Sequence, residues 1–391
     1  MSWRVELRDG DRRRSGDITD WIDRLQVGVK LNEPTIVQFT VAGEVGDRVE
    51  LGQRLLLSRG DLAVPATVVD REDRDDGFGV DEVRVEAVDD LALLWKAMVF
   101  PDPSLPPDDA GQPGYQTRTG AAETVIKEYV EATVGGSAPE FGGVRDVTGG
   151  ADRTVDQRVD GLVVEEDGGG GATVTGRGRW RLLGEFIAGL ADRGDVAFRM
   201  VQDGVDLEFQ VWEPVDRSAS VRISRGIGNL LGWRLRRATP DVTVMVAGGR
   251  GEGEDRVVQW AVYGPTLDVF GSRLGFADLR NAGESDDTDQ QLRDALDVEL
   301  DDRLGGADED LTIDAEDVDA VRWGRDYNVG DLVAVVVRGE RIVKQVTEVD
   351  VVWTPDGETV KPSVGGSADR RWDLYRRLGF VERQLADLGR S

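Results

Sequence analysis

The chain has 391 residues and a formal net charge of −28, and it contains neither histidine nor cysteine. These absences exclude Ser-His-Asp and Cys-His catalytic groups, thiolate nucleophiles and the usual zinc sites, and leave open a site made of carboxylates alone, as in glycoside hydrolysis. With 76 Asp and Glu against 48 Lys and Arg, the chain also lacks the basic balance that sequence-reading DNA-binding proteins need.

The first hundred residues predict short β-strands. Apolar residues alternate with polar ones in runs such as Val37, Phe39 and Val41, which is the pattern of a half-buried strand. Short strands separated by glycine turns predict a small barrel or sandwich. A proline-rich connector follows at 101–114, so we expect the first domain to span residues 1–97.

The next part, residues 98–215, predicts an α+β domain. A helix that ends before Gly135 places Glu123 near its positive end, and a second helix is predicted at about 180–192, ended by Gly194. Asp203-Gly204 predicts the turn of a β-hairpin. The apolar face of the first helix is formed by Ala122, Val125, Ile126, Tyr129 and Val130.

Strands resume after about residue 220 and predict a second β domain over residues 216–366, interrupted by an acidic helix at 287–304. A helix at 367–391 follows. The expected fold is therefore mainly β with α+β insertions: two small β-barrel domains, an α/β domain between them and a C-terminal helix.

The C-terminal helix carries a row of apolar residues spaced four and three apart: Leu374, Leu378, Val381, Leu385 and Leu388. This spacing is a heptad seam, although it covers only about two and a half heptads. Two interpretations are open. The seam packs on its own domain, or it forms a trimeric or partner-binding bundle.

One internal similarity links the two ends of the chain. Residues 49–72 and 327–350 both contain a glycine, alternating apolar residues, a glycine turn and a second apolar run that ends in acids. Two equivalent β domains would produce this similarity, and so would the general likeness of hairpins in small barrels.

Candidate ligand sites are weak. The segment VAGGRGEGEDR at 246–256 lacks the phosphate-loop motifs and carries two glutamates, so a turn between strands is favoured. The glycine tract 168–171 predicts a surface loop. The acidic runs 70–76 and 308–319 have oxygen ligands that hard cations prefer, but neither fits an EF-hand, and we expect solvated surface. No catalytic, cofactor or metal residue is assigned.

The charged residues point to an environment of high salt. Five of the 48 basic residues are lysines, which leaves 43 arginines. A GC-rich genome explains arginine over lysine but not the acid excess, whereas molar salt reduces the Debye length to about 3 Å and screens the repulsion. We therefore expect a halophilic source. No apolar run is long enough to cross a membrane, and the charged first residues predict no secretory signal.

Taken in order, several segments resemble the siphovirus tail-tip or baseplate hub family, the tail-associated hub proteins. The resemblance covers residues 3–352 and rests on the order and spacing of the segments together. They are WIDRLQVGVKLNEPTIVQFTVAG (21–43), GAAETVIKEYVEATVG (120–135), FRMVQDGVDLEFQVWEPVDRS (198–218), VRISRGIGNLLGWRLRR (221–237), VMVAGGRGEGEDR (244–256) and WGRDYNVGDLVAVVV (323–337).

The resemblance implies a homotrimer that closes the distal end of a tail tube. Two tube-like β-barrels per subunit would give six per trimer, so that a threefold hub can join a sixfold ring. The implied partners are the distal tail protein ring, the tape-measure protein, tail fibre or receptor-binding proteins, and viral DNA in transit through the channel. With the salt-adapted composition, the expected location is the tail tip of a haloarchaeal virus, assembled in the host cytoplasm.

The resemblance implies no enzyme activity. Many hub proteins carry a C-terminal lysin or receptor-binding domain, whereas this chain stops after one predicted helix, and no catalytic residue carries over. Two other functions stay open: a carbohydrate-binding or carboxylate-only glycan-cleaving protein of a halophile, and a halophile enzyme unrelated to viruses.

Overall fold

A computed structural model describes residues 3–75, 81–251, 253–280 and 308–365, together with residues 289, 290, 292, 293, 296, 297 and 300. Strands dominate these residues, which confirms the predicted mainly β fold. The strands are β1 (Arg4–Arg8), β2 (Arg14–Asp17), β3 (Ile22–Lys30), β4 (Ile36–Ala42), β5 (Arg54–Arg59), β6 (Leu62–Asp75), β7 (Asp81–Asp89), β8 (Met98–Val99), β9 (Gln116–Ala121), β10 (Glu140–Val144), β11 (Arg153–Asp156), β12 (Leu162–Val164), β13 (Thr173–Gly178), β14 (Arg181–Leu182), β15 (Ala197–Asp203), β16 (Asp206–Trp212), β17 (Arg222–Ile223), β18 (Leu230–Ala238), β19 (Val244–Gly248), β20 (Val258–Val262), β21 (Leu274–Asp278), β22 (Asp308–Ala315), β23 (Leu332–Val337), β24 (Glu340–Thr354) and β25 (Gly357–Val364).

The helices are short and lie between these strands. The α-helices are α1 (Gly43–Gly46), α2 (Ala122–Val134), α3 (Leu183–Gly194) and α4 (Gly264–Phe270), and 3-10 turns occur at Thr19–Trp21, Asp90–Trp95 and Gly253–Asp255. The described residues between 289 and 300 are helical, within the predicted helix at 287–304, whose other residues lie outside the described part.

Helices α2 and α3 lie in residues 98–215, which we call the middle part of the chain. Both bury an apolar face, but α3 begins later than predicted. All five residues of the predicted apolar face of α2 are buried. Helix α3 begins at Leu183 and not near residue 180, because Trp180 has a φ of 50°, a left-handed conformation that a right-handed helix cannot include. The predicted hairpin is confirmed: β15 and β16 pair on either side of Gly204.

The largest sheet of the described residues joins the two ends of the chain. Its eleven strands follow the order β17-β23-β24-β3-β4-β7-β6-β5-β1-β2, with β25 paired to β24. Strand β24 connects the halves: its first residues pair with β23, and its residues 348–353 pair with β3. Strands from opposite ends of the sequence therefore share one continuous sheet.

Three cores stabilise the described structure. The first lies under the large sheet and contains apolar side chains from residues 3–87 and 221–364. The second belongs to residues 91–211 and includes the buried faces of α2 and α3. A small third core lies in residues 239–307, which we call the inserted module, because they separate β18 from its partner β22. The predicted division into four domains stays a prediction.

Candidate functional site: a duplicated β unit and its joint

The hairpins β5–β6 and β23–β24 have the same register. Leu55 lies opposite Ala66 in the first hairpin, and the residues 278 positions later, Val333 and Lys344, lie opposite each other in the second. All six residue pairs of each hairpin correspond with this offset. The internal similarity in the sequence therefore reflects a repeated structure.

The same offset of 278 residues relates the β-bulges and the turn hydrogen bonds around the two hairpins. Strands β6 and β7 pair with a bulge at Val69, and β24 and β25 pair with a bulge at Thr347, which is 278 residues later. The amide of Gly52 donates to the carbonyl of Val68 at 2.9 Å, and the amide of Gly330 donates to the carbonyl of Val346 at 2.8 Å. Bulges and turn bonds are specific features, so their repetition is stronger support for a duplication than alternation alone.

The strands around the two hairpins also follow each other in the same order along the chain in both units. In the first unit (β1–β7), the antiparallel pair β3–β4 precedes the hairpin and β7 follows it. In the second unit (β17, β18 and β22–β25), the antiparallel pair β18–β22 precedes the hairpin and β25 follows it. Residues 31–35 connect β3 to β4, whereas the inserted module connects β18 to β22.

A largely buried ion pair links the ends of the two units. The guanidinium of Arg59, at the end of β5, donates from Nη2 to Oε1 of Glu358 at 2.5 Å and from Nε to Oε2 at 3.0 Å. The indole N–H of Trp3 donates to the same Oε2 at 2.9 Å. The Arg59 guanidinium also lies 4.8 Å from the ring centre of Trp323, within the range of a cation–π contact.

A second buried polar group lies beside this ion pair. The hydroxyl of Tyr327 donates to Oδ1 of Asp317 at 2.5 Å, and the Trp323 amide donates to Oδ2 at 2.7 Å. Burial raises the pKa of Asp317, although these hydrogen bonds and Arg59 oppose it. Burial and the neighbouring Asp317 also raise the pKa of Tyr327. The bonds of Glu358 to Arg59 and Trp3 join the first unit to the second, whereas the Asp317 group stabilises the second unit itself.

A cavity of about 440 Å³ lies where the two units meet the middle part of the chain. Its lining includes Asp89 of the first unit, Phe198 and Trp212 of the middle part, and Asp331 of the second unit. One carboxylate oxygen of Asp89 accepts the Thr35 amide at 2.9 Å, and the other is buried without a hydrogen-bond partner. Burial raises the pKa of Asp89 to about 7. We call this cavity, together with the ion pair of Arg59 and Glu358, the joint. The joint therefore contains a carboxyl group that is largely protonated below neutral pH.

Comparison with known proteins identifies the family. The profile of a family described as "Siphovirus ReqiPepy6 Gp37-like protein" matches residues 4–366. The chain belongs to this family. None of the curated proteins searched matches it.

Two solved structures share the fold. One is the 43 kDa tail protein of prophage MuSo2 from Shewanella oneidensis, with a TM-score of 0.54 and 11% identity over 94% of this chain and 98% of that protein. The other is a tail protein from Neisseria meningitidis MC58, with a TM-score of 0.51 and 13% identity over 95% of this chain and 98% of that protein. The chain therefore belongs to a siphovirus protein family and shares its fold with these two tail proteins.

The structure tests some of the sites predicted from the sequence, while others lie outside the described residues. The seam residues Leu374, Leu378, Val381, Leu385 and Leu388 lie outside the described residues. The segment 246–256 contains the end of β19 and leads to β20, which pairs with β19 antiparallel, and this confirms a turn between strands. Across the described ranges, no group of three acidic side chains is arranged to hold a metal ion, and no helix is long and apolar enough to cross a membrane.

The glycine tract 168–171 has a structural role that the sequence did not indicate. The amides of Gly168 and Gly170 donate to the two carboxylate oxygens of Glu123 at 2.9 and 2.7 Å, and the buried ammonium of Lys127 donates to Glu123 at 2.7 Å. Glu123 lies in the first turn of α2, as predicted. The backbone amides that an anion would need are therefore already bonded to the protein's own carboxylate.

Replacing Glu123 by glutamine is expected to lower the free energy of unfolding by about 2 kcal/mol, because charge-assisted hydrogen bonds weaken and Lys127 loses its nearest countercharge. Burial raises the pKa of Glu123, but the bonds from Lys127, Gly168 and Gly170 outweigh it and hold the pKa below its usual value. The stabilisation is thus present at neutral pH and is lost as the pH falls through this low pKa.

Urea unfolding of the Glu123→Gln variant at neutral and acidic pH measures this effect. Glu128→Gln is the control, since Glu128 lies on the same helix and pairs with Arg118 at the surface, where ion pairs contribute little. Equal losses in the two variants would contradict the role given to the glycine tract.

Proposed function

We propose that the protein is the hub of a viral tail tip, a homotrimer that closes the distal end of the tail tube. The observation that carries this proposal is the repetition of one β unit in the same register at both ends of the chain. Three subunits with two units each present six similar units, so a threefold trimer can contact a sixfold ring. A heterologous interface that closes on itself generates such a ring.

The joint between the units supports this role. A pseudo-sixfold ring requires the two units of a subunit to keep one relative orientation. The continuous sheet through β24 and the ion pair of Arg59 with Glu358 supply this rigidity. In this proposal each unit is a tube-like barrel, and residues 98–215 form a domain beside them.

The charge of the chain supports a place along the path of the genome. A formal charge of −28 per subunit would repel DNA phosphates and prevent tight binding in a channel. We propose that the hub contacts the distal tail protein ring, the tape-measure protein and tail fibre or receptor-binding proteins, that DNA meets it only in transit, and that its role is structural and not enzymatic. The acid excess supports a virus of a halophilic archaeon as the source.

Light scattering tests the trimer directly. In molar salt, which screens the repulsion between acidic subunits, the purified chain is expected to have three times the mass of one subunit. The mass at low salt is expected to fall as repulsion dissociates the trimer. A monomer that persists in molar salt at high protein concentration would exclude the proposed hub, and imaging of the virion with this chain located in it would test its position.

A further inference from the structure

The inserted module has one covered and one uncovered sheet face. Strand β19 lies between β20 and β21, and Ala247 on one face packs against Leu292, Leu296 and Leu300 of the helical residues. The opposite face carries two cross-strand rows, Trp260-Val246-Phe276 and Val262-Val244-Leu274. We call these two rows the apolar face.

The residues of the apolar face on the two outer strands are exposed to an extent that is unusual for such side chains, whereas Val244 on the central strand is buried between them. Trp260 is 70% exposed, Leu274 71%, Phe276 61% and Val262 49%. Contiguous apolar side chains of this size on a sheet mark a surface that another polypeptide covers. Scattered single residues would not carry this inference, but side chains in register on three adjacent strands do.

Charge argues against two copies of this face packing on each other. Residues 239–307 contain 15 acidic and 6 basic residues, a net charge of −9. Two such modules placed face to face would bring like charges together, as would a module placed on an anionic lipid surface. Elsewhere in the described ranges, the exposed large apolar residues form no such rows on three adjacent strands. Val144, Val147 and Val155 lie together on the hairpin β10–β11, but this hairpin exposes only valines and offers a smaller apolar surface for a head-to-tail contact.

The chain contains one segment with complementary chemistry. Residues 367–391 contain 6 basic and 4 acidic residues, a net charge of +2 in a chain of −28. The same residues carry the seam Leu374, Leu378, Val381, Leu385 and Leu388. An amphipathic segment of opposite charge is the kind of partner that packs an apolar row onto an apolar face of an acidic module.

We propose that the C-terminal segment, residues 369–388, docks its leucine seam on the apolar face of the inserted module. The module then has a covering element on each side of its sheet, as sheets with two apolar faces require. The proposal concerns the inserted module alone and does not depend on the hub function or on the trimer.

The absence of cysteine allows a direct test in the full chain. Val262→Cys places a single thiol on the apolar face, and its rate of maleimide labelling reports whether the face is covered. We expect labelling at least tenfold slower than in the same chain that also carries Leu378→Asp and Leu385→Asp. Gln384→Asp with Ala386→Asp adds the same charge away from the seam and is expected to preserve the protection.

Val147→Cys is the reference for general accessibility, because Val147 is exposed and lies outside the module. Its labelling rate is expected to be equal in all backgrounds. Val262→Cys that reacts as fast in the full chain as in the seam variant overturns the proposal. Protection that persists in the seam variant also overturns the proposal. Protection that appears only at high protein concentration overturns it and assigns the face to a second copy.

Disulfide formation gives an independent measurement that does not require the seam variant to fold. Val262→Cys is paired in turn with Leu374→Cys, Leu378→Cys and Val381→Cys, and mild oxidation is expected to produce a cross-link with at least one of them. Gln384→Cys is the control that lies off the seam. No preference for seam positions over Gln384 would overturn the docking.

Discussion

Replacing Glu358 by glutamine is expected to lower the free energy of unfolding by about 3 kcal/mol, because the change leaves Arg59 buried without its charge partner. The side chains of Arg59 and Glu358 are only 9% and 19% exposed, so water screens the interaction less than it does at the surface. Glutamine retains an oxygen that accepts the Trp3 indole N–H, and the loss therefore reports mainly on the ion pair.

The double variant separates the cost of an unpaired charge from the net value of the pair. Arg59→Met alone leaves Glu358 buried without its cation and is expected to cost a similar amount. Arg59→Met with Glu358→Gln removes both charges and is expected to cost less than the sum of the single changes. Chemical denaturation of the four chains completes the cycle, and additive losses would contradict a coupled joint.

A matched surface pair sets the scale for this experiment. Arg13 and Asp11 approach to 2.7 Å, but their side chains are 66% and 72% exposed. Arg13→Met is therefore expected to change the stability by less than about 0.5 kcal/mol. A loss as large as that of Arg59→Met would show that burial is not what gives the joint its value.

Replacing Asp89 by asparagine is expected to make the protein more stable than the unchanged chain, and this difference is expected to grow as the pH rises. Burial raises the pKa of Asp89 from 3.8 to about 7, so between these values the folded state holds a proton that the unfolded state has released. The folded state binds more protons, and the contribution of Asp89 to stability therefore falls as the pH rises to about 7. This is the opposite of the usual behaviour of a carboxylate.

The size of the effect follows from the same two pKa values. The stability of the Asp89→Asn variant relative to the unchanged chain is expected to increase by about 3 kcal/mol between pH 5 and pH 8. Asparagine can still accept the Thr35 amide, so no hydrogen bond is lost. Denaturant unfolding of both chains at several pH values in molar salt measures this difference.

Asp216→Asn is the control for this pH series. Hydrogen bonds from Ser218 lower the pKa of the exposed Asp216, so its ionisation is complete well below pH 5. The effect of Asp216→Asn is expected to be constant between pH 5 and pH 8. A constant difference for Asp89→Asn as well would contradict a buried, protonated carboxyl group at the joint.

The sequence predicted those features of the fold that depend on local patterns. Alternation in β4 was sufficient, since Val37, Phe39 and Val41 are all buried. The repeated hairpins were recognisable because a glycine turn between alternating strands is a local signal. The start of α3 was wrong by about one turn, because nothing in the residue type of Trp180 indicates its left-handed conformation.

The partners of the polar groups depend on contacts that no local pattern contains. Arg59 and Glu358 are 299 positions apart, and neither stands out among the many charged residues. Asp89 and Asp90 are adjacent, but Asp90 binds Arg54 and Asp89 is buried beside a cavity. Nothing in the sequence distinguishes these two aspartates. Glu123 was placed correctly in its helix, but its bonds to the glycine tract required the folded chain.

The pairing of β3 with β24 has a consequence during synthesis. Strand β3 leaves the ribosome about 320 residues before β24, and at 5–20 residues per second this delay lasts roughly 15 to 60 s. During that time one edge of β3 presents free amide and carbonyl groups to other nascent chains, which is the usual starting point for aggregation between strands. Correct production of this protein is therefore expected to depend on chaperones, or on slow expression that keeps nascent chains apart, until the last strands arrive.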